Sequence, residues 1–310
     1  MKSGPRKLRT VAPAKINWTL EVLGRRDDGY HEIRSVMQTI DLCDELFADQ
    51  SDHPIFETAA GKPLAPEDLI VRATKALEER VRRALPARIR VDKQIPVASG
   101  LGGGSSDAAA VLRLLNQLHG IGLPNEELAE VGAEVGSDVP FFIYGGTALV
   151  EGRGERVVPL RDVEGGWLTI VALEVEIAEK TQRMYARLDA GDYTQGLSTN
   201  RVVNAVSSGV EINGNDLFNV FDRHAFDVVN GLDELSHGLF LEVLSPVHVV
   251  GSGPSLFVYC GSDPRAESRV EAVAAYAEAF GSGTADIFPV RPLASSLATS
   301  VFDGPSGSPP

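Results

Sequence analysis

Apolar and polar residues alternate with different periods along the chain, and each change of period predicts an element. Residues 8–23 and 32–47 read as two long extended segments. Between 67 and 83, Leu69, Ile70, Ala73, Ala76, Leu77 and Val81 recur on one helical face. Residues 87–93 alternate like a strand, with Ile89 and Val91 between Arg88, Arg90 and Asp92. From 106 onward Val111, Leu112, Leu114, Leu115 and Leu118 return to helical spacing, with Gly120 as the stop and Ser105 or Ser106 as the N-cap. Pro124-Asn125-Glu126-Glu127 opens a further helix to about Val135, and 141–144 and 147–150 read as strands around Gly145-Gly146. A turn at 151–155, a loop at 160–166 and a buried strand at 167–175 follow. The remainder predicts a helix after Thr181, helices between 216 and 243, strands at 248–250 and 255–259, and a helix over 264–280. This mixture predicts an α+β chain in two domains, 1–160 and 161–295, with 296–310 as a disordered tail.

Composition narrows the possibilities. With 43% hydrophobic residues, the 310-residue chain can build real cores. The excess of 43 Asp and Glu over 29 Lys and Arg leaves a net charge of -14, which disfavours nonspecific attraction to nucleic acid or an anionic membrane. Any phosphate must then be held by local amides and a few placed cations. Cys43 and Cys260 sit in apolar surroundings without zinc spacing and read as reduced core residues. The basic N-terminus has no apolar run behind it and no bilayer-spanning segment follows, so a cytoplasmic protein is expected. The sequence leaves its oligomeric state open.

The most informative stretch is Pro96-Val97-Ala98-Ser99-Gly100-Leu101-Gly102-Gly103-Gly104-Ser105-Ser106. Four glycines in five positions lie between a strand and the start of an amphipathic helix. Unpaired N–H groups and the positive end of a helix dipole gather at such a place, and glycine lets the backbone approach an anion closely. A phosphate-binding loop is therefore predicted in preference to a flexible connector. It is neither of two familiar loops, because the Lys-Ser/Thr ending is absent and Ser105 stands where a dinucleotide fingerprint needs its third glycine.

Four other clusters have two readings each. Lys15 and Asn17 are two apart on a strand, so they share one face, either solvated or aimed into a site. Arg25-Arg26-Asp27-Asp28-Gly29-Tyr30-His31 is a surface hairpin or a platform for a flat ligand. Asp138, squeezed between a helix end and Pro140, either caps or pairs structurally or is a placed base. Gly251-Ser252-Gly253-Pro254-Ser255 is a tight turn or a second ligand loop.

Taken in order, Lys15 with its neighbours, "IPVASGLGGGSSDAA" and "GSGPS" resemble the three motifs of the small-molecule kinase superfamily of galactokinase, homoserine kinase, mevalonate kinase and phosphomevalonate kinase. "APAKINWTLEVLGRRDDGYHEI", "GSDVPFF" and "GNDL" resemble, more narrowly, the 4-diphosphocytidyl-2-C-methyl-D-erythritol kinase family, over about 11–259. That resemblance implies a first domain like ribosomal protein S5 domain 2, a ferredoxin-like second domain, and an ATP- and Mg²⁺-dependent phosphorylation of the substrate's 2-hydroxyl in non-mevalonate isoprenoid synthesis. It implies that residues 96–106 hold the ATP phosphates and that Ser105 and Ser106 help seat Mg²⁺. It assigns Asp138 as base and Lys15 as the cation that keeps it ionised. Asn17, Tyr30, His31, Thr181 and Tyr185 fall on the substrate side. Trp18, "EIAEKT" before Thr181, and Val250 depart from the family pattern. The rivals are a sister kinase of the superfamily and a non-catalytic ligand-binding protein on the same fold. Tyr30-His31 argues against the first, and retention of both Lys15 and Asp138 argues against the second.

Overall fold

The computed structural model describes residues 6–173, 180–281 and 285–304. In chain order the first part runs β1 (Lys7–Arg25), β2 (His31–Gln50), β3 (Ile55–Thr58), α1 (Leu69–Val81), β4 (Ala87–Asp92), α2 (Gly103–Leu118), α3 (Asn125–Val135), α4 (Val139–Tyr144), β5 (Thr147–Gly152) and β6 (Arg156–Pro159). It continues with β7 (Trp167–Leu173), α5 (Lys180–Tyr185), α6 (Leu197–Ser208), β8 (Phe218–Asn219), α7 (Asp222–Phe226), α8 (Leu232–Val243), β9 (Val247–Val249), β10 (Leu256–Gly261), α9 (Ala266–Gly281), β11 (Ala285–Val290), α10 (Ser295–Ala298) and β12 (Val301–Asp303).

Two sheets organise these elements. The larger, of eight strands, runs β12-β1-β2-β4-β3, with β5 and then β6 added beside β2 and β8 parallel to β1. The smaller runs β11-β7-β10-β9, all antiparallel. In chain order those strands are fourth, first, third and second, with α9 between the third and fourth, which is the ferredoxin-like arrangement.

Apolar residues of α1 to α4 pack on one face of the large sheet, including Ile70, Leu77, Leu112, Leu115, Val131 and Phe141. Helices α7 to α9 pack on the small sheet through Ala225, Leu235, Leu239, Val273 and Ala277. A third core joins the two sheets, where Ala14, Ile16 and Trp18 of β1 meet Leu168, Ile170, Phe257 and Tyr259. Trp18 is fully buried there, edge-on to Phe257 at 6.4 Å and Tyr259 at 5.3 Å, so this departure fills the inter-sheet core. Val250 is likewise buried in it.

Several expectations need correction. Helix α2 begins three residues earlier than the serines suggest: Gly102, at φ +79, is its N-cap, and Gly103 and Gly104 form its first turn. Neither Ser105 nor Ser106 caps it. The stretch 141–144 is helix, not strand, because Pro140 starts a turn that Gly145, at φ +64, ends. A short run apolar on every side cannot be assigned by period alone. Helix α6 escaped the reading because its buried face is only Thr199, Val202 and Val206. The stretch 296–304, expected in a disordered tail, instead continues α10 and adds β12 to the edge of β1, with Leu8 opposite Asp303. Residues 174–175 of the expected strand and 305–310 of the expected tail lie outside the described residues. Cys43 and Cys260 are free thiols. Among the described residues no helix is long and apolar enough to cross a membrane.

Candidate active site

The glycine loop lies where the two sheets meet. A hydrogen bond from the Lys15 N–H to the Leu101 carbonyl, 2.9 Å, ties it to β1. Two of its glycines are required by close packing, and a third is tightly enclosed. A Cβ on Gly100, at φ +88, would stand 2.5 Å from the Val250 carbonyl oxygen and 3.0 Å from that of Gly253. One on Gly102 would meet the Phe142 ring at 2.9 Å and Lys15 Cγ at 3.2 Å. One on Gly103 would reach Ile95 Cγ2 at 3.1 Å. The loop is thus pressed between α4, Lys15 and the 251–253 turn, and its bareness is steric as well as conformational.

Two cavities flank this loop and share it. The smaller, about 590 Å³, is lined by Pro96, Val97, Ala98, Ser99, Gly100, Gly102, Gly103, Gly104 and Ser105, together with α1 residues and Lys93. The larger, about 980 Å³, is also lined by Gly100 and Gly102, and by Lys15, Asn17, Tyr30, His31, Asp138, Thr181 and Tyr185. Every residue expected on the catalytic and substrate sides therefore faces one cavity, and nine of the eleven loop residues face the other. Leu101 and Ser106 face neither; both are fully buried, and the Ser106 hydroxyl is without a partner.

Lys15 and Asn17 share a face of β1, as strand alternation requires, and are buried. Lys15 Nζ donates to Asn17 Oδ1 at 3.0 Å, and Asn17 Nδ2 donates to Ser35 Oγ at 2.8 Å. Ser35 in turn donates to the Thr19 carbonyl. Asn17 thus aims Lys15 as much as it faces a ligand. Burial pushes the Lys15 ammonium below its ordinary range, while the charge of Asp138 pulls it back up. Asp138 occupies the N-cap position of α4, yet its side chain makes no capping hydrogen bond. The capping role left open by the sequence is thus not used, and the side chain is half-buried on the cavity wall.

On the far side of this cavity His31 lies over Tyr185, ring centroids 5.1 Å apart and tilted by 32°. Tyr185 also meets Phe221 edge-on at 4.9 Å. Tyr30 is half-exposed, with the Arg153 guanidinium 5.3 Å above its ring. Burial lowers the His31 pKa, with Arg25 adding to the effect, and so favours the neutral ring. An aromatic slot with flanking cations suits a flat, anionic-tailed ligand.

Several residues escaped the sequence reading. Lys180 and Arg153 line the larger cavity, beside Arg25 of the hairpin stretch. Lys93 donates to Asp107 Oδ2 at 2.6 Å and also bonds Asp44, whose other oxygen accepts the Gln94 and Ile95 N–H groups. Burial holds the Asp107 carboxyl well above the carboxylate range, with Lys93 opposing it. This cluster fastens the strand before the loop to the helix after it. Its sequence signal is only the "SSD" that ends the glycine run.

Comparisons with known proteins show the family and the fold. Residues 68–146 match the GHMP kinases N terminal domain. The chain is 38% identical over 251 residues to the 4-diphosphocytidyl-2-C-methyl-D-erythritol kinase of Dehalococcoides mccartyi, covering 81% of this chain and 88% of that one. It is 35% identical over 297 residues to the kinase of the same name from Listeria innocua, covering 94% and 98%. Its fold superposes on a crystal structure of 4-(cytidine 5'-diphospho)-2C-methyl-D-erythritol kinase with TM-score 0.73 and 29% identity, over 91% of this chain and 98% of that one. A homoserine kinase from Cytophaga hutchinsonii shares the fold, with TM-score 0.75 at 17% identity over 98% of each chain. The chain belongs to the 4-diphosphocytidyl-2-C-methyl-D-erythritol kinase family.

Proposed function

We propose that this chain transfers the γ-phosphoryl group of ATP to the 2-hydroxyl of 4-diphosphocytidyl-2-C-methyl-D-erythritol. The observation that carries the reading is the glycine loop standing as the common wall of two cavities, with Lys15 and Asp138 on the second one. A nucleotide held in the smaller cavity would present its terminal phosphate across Gly100 and Gly102 to an alcohol in the larger. The slot of Tyr30, His31 and Tyr185 suits the cytosine end of that alcohol. If the domains divide at about residue 160, as 1–160 and 161–295, the smaller cavity belongs to the first and the larger draws its lining from both.

Phosphoryl transfer is mainly positioning and neutralisation of charge. The loop amides bind phosphate oxygens without requiring a lysine inside the loop. Asp138 accepts the hydroxyl proton as the new O–P bond forms, and ADP departs with the electron pair of the broken bridge bond. Lys15, aimed by Asn17, stabilises the Asp138 carboxylate and the oxyanion developing beside it.

The residues present fit Mg²⁺ only in company with phosphates. Among the described residues no group of three His, Cys, Asp or Glu side chains could hold a metal alone. The Ser105 hydroxyl at the cavity would help complete a phosphate-bound ion, whereas Ser106, buried away from both cavities, does not face it. Such an ion would neutralise charge on the phosphate oxygens.

The deciding assay couples ADP release to the cytidylyl alcohol, mevalonate, homoserine and galactose in turn. Turnover is expected with the cytidylyl alcohol. Preference for any of the other three would defeat the substrate assignment, and ligand binding without turnover would favour the non-catalytic reading.

A further inference from the structure

Lys180 stands where three parts of the site converge. Its Nζ donates to the Ala98 carbonyl of the glycine loop at 3.0 Å and to the Gly253 carbonyl of the second turn. The next residue, Thr181, is bonded through its hydroxyl to Ser252 Oγ at 3.3 Å. The two loops already touch at Gly100, so Lys180 sits at their seam. Among the described residues it forms no ion pair, and its partners are neutral carbonyls.

Three considerations give this lysine a ligand. First, an ammonium has three donors, and two carbonyls leave one for an anion. A phosphate oxygen is a stronger acceptor for it than a neutral carbonyl. Second, Lys180 lines the alcohol-side cavity with Lys15, Asp138, Gly100 and Gly102, and is not part of the nucleotide-side lining. Of a triphosphate's groups, only the terminal one must reach that side. Third, the glycine loop contains no lysine of its own, whereas phosphate loops of the Walker type carry one for the β- and γ-phosphates.

We propose that Lys180 binds the terminal phosphoryl group as it passes from nucleotide to alcohol, supplying from α5 the cation that the loop lacks. This rests on the kinase reading above. The group moves from the bridging oxygen of ADP to the alcohol oxygen while the alcohol proton goes to Asp138. Lys180 neutralises the peripheral phosphoryl oxygens and exchanges no proton. Burial and the nearby Lys15 charge lower its pKa to about 8, so it remains largely protonated at neutral pH.

The test is titration calorimetry of the native chain, Lys180→Met and Lys180→Arg with ADP and with a β,γ-imido triphosphate analogue. For Lys180→Met the analogue should weaken about 10-fold relative to ADP, with ADP itself unmoved, as expected for one lost charge-assisted contact. Lys180→Arg should recover most of the preference for the triphosphate. A lysine that merely holds the two loops together would weaken both nucleotides alike, and that result, or no change in either, overturns the assignment. A native chain that binds the analogue but ignores the cytidylyl alcohol would remove the substrate assignment and leave this test standing. A native chain that binds neither nucleotide would remove both.

Discussion

Gly100→Ala tests the packing on which the site depends. Two costs add at this position. An L-residue at φ +88 pays about 1–2 kcal/mol for the left-handed backbone. The new Cβ would also lie 2.5 Å from the Val250 carbonyl oxygen, and that gap must open by about 1 Å to become an ordinary contact. Overpacking of this kind costs about 1–3 kcal/mol, and backbone carbonyls cannot rotate away as a side chain can. The expected loss is about 2–5 kcal/mol, or a midpoint lower by about 2–4 °C for each kcal/mol. Gly122→Ala is the control: its φ is +79, but nothing lies within 4 Å of the added Cβ, so only the conformational cost applies. Thermal unfolding of both variants isolates the clash as a difference of about 1–3 kcal/mol. ADP affinity, read by calorimetry, should fall in Gly100→Ala and stay native in Gly122→Ala. Equal stability losses in the two variants would mean that the glycine loop and the 251–253 turn do not touch in solution.

Other consequences can be measured separately. Asp138→Asn should lower kcat by about 10²–10⁴-fold in the ADP-release assay, with ADP affinity unchanged; native turnover in this variant would strip Asp138 of its role as base. Tyr185→Leu removes the ring that faces His31 and should raise KM for the cytidylyl alcohol by about 10-fold, leaving nucleotide affinity alone; an unmoved KM would place the base elsewhere. The lowered pKa of Lys180 sets a pH dependence beside Lys15 and Asp138. Above about pH 8 the folded lysine loses its charge, so affinity for the triphosphate analogue should decline in the native chain more steeply than in Lys180→Met, where only Lys15, itself below its ordinary range, remains to titrate. The unfolded lysine keeps its proton to near 10.5, so this group's contribution to stability rises with pH across that window. Parallel profiles in the two proteins would show that Lys180 does not titrate there.

The chemistry was legible where a short stretch carries its own physics. The run 100–106 predicts an anion site because bare amides and a helix start are local properties. Lys15 and Asn17 announce a shared face because strand alternation is local too. The motif resemblance then picked out Asp138, Tyr30, His31, Thr181 and Tyr185, and all of these line the larger cavity. What stayed hidden depends on contacts between distant segments. Ser35, which holds Asn17, lies on the neighbouring strand, and nothing in its own surroundings marks it.

The sequence by itself determined the long extended segments, most of the amphipathic helices, and a glycine-rich turn at a helix start, from which a phosphate loop is predicted. Those follow from periodicity and residue chemistry within a few turns of chain. Only the tertiary structure decided that α4 is a helix, that 296–304 returns to the large sheet, and that Lys180 reaches Ala98, 82 positions away. Each of these depends on what other segments cover, brace or bond, and a one-dimensional pattern does not contain its neighbours in space.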